Sequence, residues 1–327
     1  MTTSGPHSIS VVVPVYGGRA TLSALVEELL PLTEPTVSPQ GRSFVVHEIL
    51  LVDDNGPDHS DDVIRELAAV HPVVRPVWLS RNFGQHAATL AGMASSGGDW
   101  VATMDEDGQH DPAYLGALLD VAMDDRADVV YAQPTNEPPH GALRNAASKG
   151  AKRLVAALSA GAPSESFHSY RFMLGEVARS VAAYAGPGIY LDMALHWVAR
   201  RTAQCPVPMR AEQRESGYNL RSLASHFWRL VLSSGTKPLR WVSYTGVAFA
   251  LVAVIATVFL VVGRLAQAWV VPGWTSTIVI LFFCTGVMLF CLGVIAEYVG
   301  VAVNMAMGKP LYLLTRDRAQ GPFGRDD

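Results

Sequence analysis

The sequence predicts an α/β protein in which a mostly parallel, doubly wound sheet is followed by amphipathic interface helices and two transmembrane helices. Three observations lead to this fold class. Short β-branched runs alternate with helical patterns between Ile9 and Tyr131, two long uncharged runs lie near the C-terminus, and the chain has 327 residues. Since a single core stops growing at about 250 to 300 residues, a chain of this length is expected to have a second compartment.

Each apolar run of the first half has the length of a buried strand, and a helical pattern follows it. The predicted strands are Ile9–Val15, Glu48–Val52, Val73–Leu79, Trp100–Met104 and Asp128–Tyr131, and the predicted helices lie near residues 21–30, 60–70, 85–94 and 112–123. Strands that alternate with helices form parallel sheets. Ligands of such sheets bind beyond the carboxyl ends of the strands, so the residues after each run are the candidates for a site.

Two later segments have the composition of amphipathic helices. Residues 142–158 set four basic side chains among alanines and leucines, and residues 220–240 lead directly into the first uncharged run. Basic amphipathic helices lie at membrane surfaces with their cationic side toward the headgroups. For residues 142–158 an ordinary solvated surface helix is the alternative.

Residues 241–263 and 270–296 carry no formal charge. Each run exceeds the roughly 20 residues that a helix needs to cross a bilayer, so two transmembrane helices are predicted. Two buried helices of a soluble core are the alternative. Basic residues flank the pair while the connecting loop holds only Arg264, so the domain of residues 1–219, the tail of residues 297–327 and both termini are expected in the cytoplasm. The N-terminus has no basic start before an apolar run, and no cleavable signal peptide is expected.

Charge argues against nucleic-acid binding, and the cysteine content argues against a disulfide framework or a zinc site. The formal net charge of −4 gives no support to nucleic-acid binding, which requires a basic surface. Two of the three cysteines, Cys284 and Cys291, lie inside the second uncharged run, where they behave as small apolar residues. Neither a disulfide framework nor a zinc site is expected.

The strongest local motif is the acidic turn Asp105-Glu106-Asp107-Gly108, which follows the predicted strand Trp100–Met104. Carboxylates two positions apart in a turn can converge on one divalent cation and leave positions open for phosphate oxygens. Hard oxygen ligands suit Mg²⁺ or Mn²⁺. We therefore expect a metal site at Asp105 and Asp107, although acidic turns are commonly only solvated.

Three other predicted strands end in residues suited to a nucleotide diphosphate. Asp53 and Asp54 follow the second strand, and a carboxylate there can accept hydrogen bonds from ribose hydroxyls or a base N–H. Pro14 and Tyr16 end the first strand, where Tyr16 can stack on a base. Arg81 follows the third strand and supplies a cation beside a diphosphate. Together the strand ends predict a site for one nucleotide diphosphate and one metal.

Several segments match a known pattern in order and spacing. In the first half they are VVVPVY, ILLVDD, LSRNFGQHAATLAG and GDWVATMDEDGQHDP, and in the second half LRNAASK, SYRFM, ESGYNL, PLR and GVIAEYVG. With these motifs the sequence resembles the family-2 inverting glycosyltransferases of GT-A fold, and within them the group that acts on polyprenyl phosphates. The motifs cover nearly all of the first half and are specific as a set.

The resemblance implies transfer of one sugar from a nucleotide-sugar, with a lean to UDP, onto an undecaprenyl-type phosphate, with inversion. It implies metal ligation by Asp105 and by the catalytic Asp107, with Gln109 beside them, and nucleotide contacts at Asp53 and Asp54. The acceptor-phosphate contacts that it implies are Arg144, Arg214 and Ser216. It also implies a multi-pass protein of the inner membrane that assembles as a homo-oligomer, a tetramer in the family, and serves cell envelope glycosylation.

The chain departs from the family pattern at three places. The usual Asn-Glu-Glu after the first strand is Gly17-Gly18-Arg19, the usual Asp-Gly-Ser is Asn55-Gly56-Pro57, and the usual lysine is missing from Arg214-Glu215-Ser216-Gly217-Tyr218. These changes lie at the donor and acceptor edges of the expected site and point to an unusual donor.

A lipid phosphate monoester is largely ionised near neutral pH, so transfer onto it needs no strong general base. If a base is used, Asp192 is the candidate, and a helix N-cap is the alternative for this residue. Two other functions stay open. A processive polysaccharide synthase shares the cytoplasmic domain but carries more spans and a Q-x-x-R-W motif, which is incomplete here. An inactive nucleotide-sugar scaffold would not require the intact Asp105 and Asp107.

Overall fold

The computed structural model describes residues 5–135, 167–186, 190–210, 274–308 and 310–320, together with isolated helical positions between 242 and 262. Within these residues the chain forms one nine-stranded sheet. The strands are β1 His7–Val15, β2 Thr36–Val37, β3 Ser43–Asp53, β4 Val74–Leu79, β5 Trp100–Thr103, β6 Val129–Pro134, β7 Arg171–Leu174, β8 Thr202–Val207 and β9 Leu314–Thr315. The helices are α1 Leu22–Leu29, α2 Ser60–Val70, α3 Gln85–Ser95, α4 Leu115–Asp125, α5 Gly175–Tyr184, α6 Leu191–Val198 and α7 Trp274–Ala306.

The five predicted strands and four predicted helices are confirmed, with some changes of boundary. β3 begins at Ser43 rather than near Glu48, because Phe44 and Val46 alternate into the core ahead of the continuous apolar run. The helix predicted over residues 112–123 is a short 3₁₀ turn, Pro112–Tyr114, that continues into α4. The side chain of Asp111 caps this turn by accepting a hydrogen bond from the Ala113 N–H.

The sheet runs in the order β8-β6-β7-β5-β1-β3-β4-β9, with β2 paired to β3. The four central strands β5, β1, β3 and β4 are parallel, as predicted. β7 is inserted antiparallel between β5 and β6, and β9 pairs antiparallel with β4 at the opposite edge. The sheet is therefore mixed, with a parallel centre and antiparallel pairs toward both edges.

Alternate residues of β1 point to opposite faces of the sheet, and each face has its own apolar layer. Val11 and Val13 pack with residues of α1, α2 and α4, whereas Val12 packs with residues of α3, α5 and α6. Because both faces are covered, the central strands are apolar at nearly every position, which is typical of doubly wound α/β proteins. The carboxyl edge of the central strands is left as the place for polar side chains.

The second predicted span corresponds to α7, which begins at Trp274 and continues past Glu297 to Ala306. Its segment Phe283–Val303 has a mean hydropathy of 2.1, and only 6% of it is buried, so by length and composition it can cross a membrane. Most of the first predicted span lies outside the described residues, as do the segments 142–158 and 220–240. The tail after α7 is not separate from the N-terminal domain, since β9 joins its sheet.

Candidate active site

Polar residues follow each of the four parallel central strands at one edge of the sheet. Tyr16 follows β1, Asp53 ends β3, Arg81 lies two residues after β4, and Asp105 lies two residues after β5. Since these strands are neighbours and run in the same direction, the four predicted residues lie along one edge. This is the edge at which doubly wound sheets bind their ligands.

Both carboxylate oxygens of Asp105 are held in place by side chains from other parts of the chain. The Gln85 amide at the start of α3 donates to Oδ1 at 2.7 Å, and the Ser169 hydroxyl ahead of β7 donates to Oδ2 at 2.5 Å. The Asp105 N–H in turn donates to Nδ1 of His110 at 2.9 Å. The orientation of this carboxylate is therefore fixed before any ligand binds.

Asp107 lies on the same turn, which Gly108 closes with a φ of +76°. Its carboxylate accepts hydrogen bonds from the Gln109 backbone N–H at 3.0 Å and from the Gln109 amide at 2.9 Å. Gln109, predicted as a neighbour of the metal, thus contacts the carboxylate of Asp107. Two half-buried carboxylates on one turn, one of them beside a pocket, are ligands of the kind that Mg²⁺ and Mn²⁺ bind together with water and phosphate oxygens.

A compact group of three potential metal ligands occurs elsewhere among the described residues, at His59, Asp61 and Asp62. It lies at the start of α2, and His59 and Asp62 are exposed. Its carboxylates are paired with Arg65, at 2.8 Å from both Asp61 and Asp62. We assign no metal to this surface cluster.

Glu106, between the two aspartates, points away from them and binds the turn after β1. Its carboxylate accepts hydrogen bonds from the backbone N–H groups of Tyr16 and Gly17, both at 2.8 Å. Burial raises the pKa of Glu106 to about 7, although these two N–H groups favour the ionised form. A Cβ on Gly18 would lie 2.7 Å from Oε2 of Glu106, so the small residues at this turn are matched to Glu106. The acidic turn of residues 105–108 and the turn after β1 are thereby joined.

Asp53 is 7% exposed at the end of β3, and its Oδ1 accepts a hydrogen bond from the Asn55 N–H at 3.2 Å. Burial raises the pKa of Asp53 to about 6. The following Gly56 passes so close to the Tyr16 turn that an added Cβ would lie 1.7 Å from the Tyr16 carbonyl oxygen. Only glycine fits at this crossing, which explains the glycine in Asn55-Gly56-Pro57.

Asp54 uses both carboxylate oxygens to hold the loop after β4. It accepts hydrogen bonds from the N–H groups of Phe83 at 2.7 Å and Gly84 at 2.9 Å, and burial raises its pKa. In the same loop the exposed Arg81 guanidinium lies 4.6 Å from the centre of the Phe83 ring. The Asp54 carboxylate, predicted to contact the nucleotide, is therefore occupied with this loop, and its nucleotide contact stays a prediction.

Of the two predicted contacts at the end of β1, Tyr16 is exposed and Pro14 is buried. Tyr16 is 48% exposed, so one face of its ring is open to a ligand. Pro14 lies inside β1 opposite Val52 of β3, and its side chain is in the core. The structure gives Pro14 a packing role, and its nucleotide contact stays a prediction.

A pocket of about 340 Å³ opens beside Asp105. Its lining is mostly polar and comes from α3, the segment ahead of β7 and the start of α6: Gln85, His86, Thr89, Asp105, Phe167, His168, Ser169, Arg171, Tyr190 and Asp192. The ring of His86 meets that of Tyr190 edge to face at 4.6 Å. A space of this size, next to the carboxylate predicted to bind a metal, is large enough for one sugar ring.

Asp192, predicted as a base or a helix N-cap, is neither exposed nor a cap. The N-cap of α6 is Tyr190, and Asp192 lies in the first turn with 1% exposure. Its carboxylate forms a two-point ion pair with Arg171, which is 5% exposed. Burial lowers and Asp192 raises the pKa of Arg171, with a net rise. The N-cap alternative is therefore wrong. The Asp192 carboxylate is instead paired with the buried guanidinium of Arg171.

A buried histidine, His110, and a half-buried histidine, His168, lie near Asp105. Burial lowers the pKa of both His110 and His168 to about 4, so both rings are neutral near pH 7. Because Nδ1 of His110 accepts from the Asp105 N–H, its proton lies on Nε2, which is 3.8 Å from Oδ2 of Asp105. The His110 ring also stacks on Tyr170 at 4.9 Å. These contacts hold the acidic turn of residues 105–108 in place.

Sequence reasoning did not identify Glu106, Gln85, Ser169 and Arg171 as site residues. Glu106 lies inside the acidic motif, and Gln85 follows the Arg81 loop, so both were within the segments considered. Ser169 lies two residues before β7, and Arg171 begins it. Both belong to the SYRFM segment quoted above, and their place in that motif is the signal that could have identified them. The predicted acceptor contacts Arg144, Arg214 and Ser216 lie outside the described residues.

Comparisons with known proteins agree on one family. The model of the family described as glycosyl transferase family 2 matches residues 10–174. An undecaprenyl-phosphate 4-deoxy-4-formamido-L-arabinose transferase of Edwardsiella ictaluri is 31% identical over 315 residues, which cover 94% of this chain and 93% of the relative. A protein of the same name from Pseudomonas paraeruginosa is 33% identical over 317 residues, covering 94% and 89%.

Among solved structures, glucosyl-3-phosphoglycerate synthase from Mycobacterium tuberculosis, in complex with Mn²⁺, UDP-glucose and phosphoglyceric acid, is 17% identical with a TM-score of 0.46. The match covers 71% of this chain and 79% of that one. Mannosyl-3-phosphoglycerate synthase from Rubrobacter xylanophilus is 16% identical with a TM-score of 0.48, covering 72% and 74%.

Proposed function

Because this chain belongs to glycosyl transferase family 2, we propose that it transfers a single sugar, with inversion, from a nucleotide-sugar to an undecaprenyl-type phosphate. The observation that carries the proposal is the match to undecaprenyl-phosphate sugar transferases over 94% of the chain, which extends beyond the family domain through α7. The structure adds two oriented carboxylates, Asp105 and Asp107, at the ligand-binding edge of the sheet.

Asp105 and Asp107 would hold Mg²⁺ or Mn²⁺, with Gln109 orienting Asp107. When bound, the cation neutralises the charge that develops on the leaving diphosphate. The protein's own part is to fix these carboxylates in advance, through the hydrogen bonds from Gln85 and Ser169 to Asp105. Ligands oriented by such neighbours bind metal more tightly than free ones.

The donor nucleotide would lie across the ends of β1, β3 and β4. Asp53 accepts hydrogen bonds from ribose or base, the open face of Tyr16 stacks on the base, and Arg81 contacts the diphosphate. The sugar would occupy the pocket beside Asp105. We keep Arg144, Arg214 and Ser216 as the residues that bind the acceptor phosphate, by family resemblance.

The acceptor phosphate is already ionised near neutral pH and can attack the anomeric carbon without losing a proton to the enzyme. A strong base is therefore unnecessary. The ion pair with Arg171 supports a different role for Asp192, in which it neutralises a buried cation beside the pocket. The reaction then depends on holding the phosphate in line with the bond that breaks.

α7 supports attachment to the membrane, where the lipid acceptor resides. The described apolar residues of Phe283–Val303 are largely exposed, which suits contact with lipid rather than with a protein core. We propose that residues 241–263 form a second span, that both termini are cytoplasmic, and that the protein lies in the inner membrane as a homo-oligomer.

The test is transfer of radiolabelled sugar from a panel of UDP- and GDP-sugars to undecaprenyl phosphate, in detergent with Mg²⁺ or Mn²⁺. A chloroform-soluble product that disappears with EDTA and in Asp107→Ala, but not in the exposed control Asp125→Ala, is expected. Metal-dependent nucleotide binding without any lipid product would contradict the proposal. It would favour a polymer synthase or an inactive scaffold.

A further inference from the structure

The segment 311–318, which we name the C-terminal strap, lies against the β4 edge of the sheet. It follows α7 and contains β9, whose Leu314 and Thr315 pair with Leu79 and Trp78. Leu311 and Tyr312 pack against the apolar layer that includes residues of α3 and α5. The strap therefore joins the end of the apolar helix to the strand that leads into the donor-binding loop.

Asp317 anchors the strap. It is 5% exposed, and its two carboxylate oxygens lie 3.1 and 3.0 Å from Nε of Arg65 on α2. The Arg65 guanidinium also lies 5.3 Å from the centre of the Trp78 ring. A buried carboxylate with a cationic partner fixes the position of the residues next to it, here Arg318.

The strap occupies both backbone polar groups of Ser80, the residue after β4. The Ser80 N–H donates to the Leu313 carbonyl at 2.9 Å, and the Arg318 guanidinium donates to the Ser80 carbonyl at 2.7 Å. One of these bonds extends the sheet pairing. The other comes from the side chain of Arg318, which lies 238 positions after Ser80 in the sequence and follows the apolar helix.

Ser80 opens the loop of residues 80–84, which we name the donor loop. Its far end is held by Asp54, through the N–H groups of Phe83 and Gly84. Arg81 lies between the two attachments, and Gln85 directly after the loop donates to Asp105. The catalytic domain thus fixes one end of the donor loop, and the strap fixes the other.

We propose that Arg318 is a positioning residue for the nucleotide-sugar: by holding the Ser80 carbonyl it sets the place of Arg81 beside the donor diphosphate. This inference rests on the proposed function. It also assigns the C-terminal strap a role in donor affinity, since the same segment is attached to the apolar helix. Acceptor binding, at the other side of the reaction, is not expected to depend on Arg318.

The test uses the full chain in detergent and titrates UDP and GDP in the presence of Mn²⁺ by calorimetry. Arg318→Ala should weaken binding of the preferred nucleotide about three- to tenfold, the range of one lost hydrogen bond. Arg318→Lys, which keeps a donor, should recover most of the affinity. Arg316→Ala removes the same charge from an exposed neighbour, with no described bond to the donor loop, and should bind as the wild type does.

Turnover supplies the second readout. Arg318→Ala should raise KM for the nucleotide-sugar and leave kcat and KM for the lipid phosphate unchanged. Equal affinity of Arg318→Ala and the wild type would overturn the inference, as would an equal loss in Arg316→Ala, which would reveal a general effect of charge. A wild type that binds neither nucleotide would overturn the proposed function, and this inference with it.

Discussion

The guanidinium of Arg171 and the carboxylate of Asp192 meet in the interior, with 2.6 Å between Nε and Oδ1 and 2.9 Å between Nη2 and Oδ2. Removing one partner of a buried pair leaves a charge without compensation, which costs about 3–5 kcal/mol. We expect Asp192→Asn to lower the free energy of unfolding by about 3 kcal/mol, measured by denaturant titration in detergent. A stability equal to that of the wild type would contradict the ion pair.

The double variant Arg171→Met, Asp192→Leu separates structure from catalysis. With both charges removed, stability should return to near the wild-type value, because neither group is left unpaired. If the double variant folds and transfers sugar, Asp192 is not a base. A folded double variant with no turnover and unchanged donor affinity would restore the base hypothesis.

Asp53→Asn should stabilise the protein and weaken donor binding. Burial raises the pKa of Asp53 from 3.8 to about 6, so the stability that it contributes is fully present below pH 3.8 and is lost as the pH rises through about 6. At pH 8 the free energy of unfolding of the variant should therefore exceed that of the wild type by about 1 kcal/mol, measured by denaturant titration, and the difference should shrink toward pH 4. A difference independent of pH would contradict this assignment.

Gly56→Ala should disturb the Tyr16 turn, because the new Cβ would lie 1.7 Å from the Tyr16 carbonyl oxygen. We expect a loss of about 1–3 kcal/mol in stability and weaker nucleotide binding, measured by thermal unfolding and calorimetry. Gly97→Ala is the matched control, since its Cβ would meet Glu48 at an ordinary 3.5 Å. Equal effects of the two substitutions would show that the close crossing at Gly56 is unimportant.

Ser169→Ala should weaken metal binding without removing a ligand. The Ser169 hydroxyl holds Oδ2 of Asp105 at 2.5 Å, and loss of such an outer hydrogen bond typically costs about 10- to 100-fold in metal affinity. The measurement is the Mn²⁺ concentration that gives half-maximal transfer. Ser95→Ala, whose hydroxyl bonds to Ala91 within α3, should leave that concentration unchanged. An unshifted Mn²⁺ dependence in Ser169→Ala would exclude this role.

Labelling of Cys284, which lies in α7, tests the membrane assignment. Cys284 is exposed in the isolated chain, and a water-soluble maleimide should react with it in denaturant but not in intact membranes. Cys205 is buried and should also stay unlabelled until the protein unfolds. Val70→Cys, at a position 70% exposed on the N-terminal domain, should label in membranes opened to the cytoplasmic side. Labelling of Cys284 in intact membranes would contradict a span.

The central sheet could be predicted because its strands are continuous β-branched runs separated by helical patterns. β7 and β9 could not, since β7 has four residues and β9 two, and their partners are far away in the sequence. Pairing of such short segments is decided by tertiary contacts rather than by local pattern. The parallel centre was therefore visible in the sequence, and the antiparallel edges were not.

The candidate site also contains residues that the sequence predicted and residues whose roles depend on tertiary contacts. Asp105 and Asp107 were found because they follow a strand, which fixes their edge of the sheet. The inward direction of Glu106 depends on the N–H groups of Tyr16 and Gly17, which belong to another strand end. Asp192 was predicted as a base or a cap from its neighbours in the sequence alone. Nothing in the spacing reveals its partner Arg171, which lies 21 positions earlier.

The late arrival of β9 has a consequence for biosynthesis. Arg318 follows Ser80 by 238 positions, so at about 5–20 residues per second the ribosome needs roughly 10 to 50 seconds to supply the strap. Until then β4 is an open edge, to which a strand of another nascent chain could add. The Ser80 N–H points outward to Leu313, and alternate residues point the same way, so position 76 would offer a further outward donor. Position 76 is a proline, which has no N–H, so the open edge of the unfinished domain offers one backbone donor fewer to a strand of another chain.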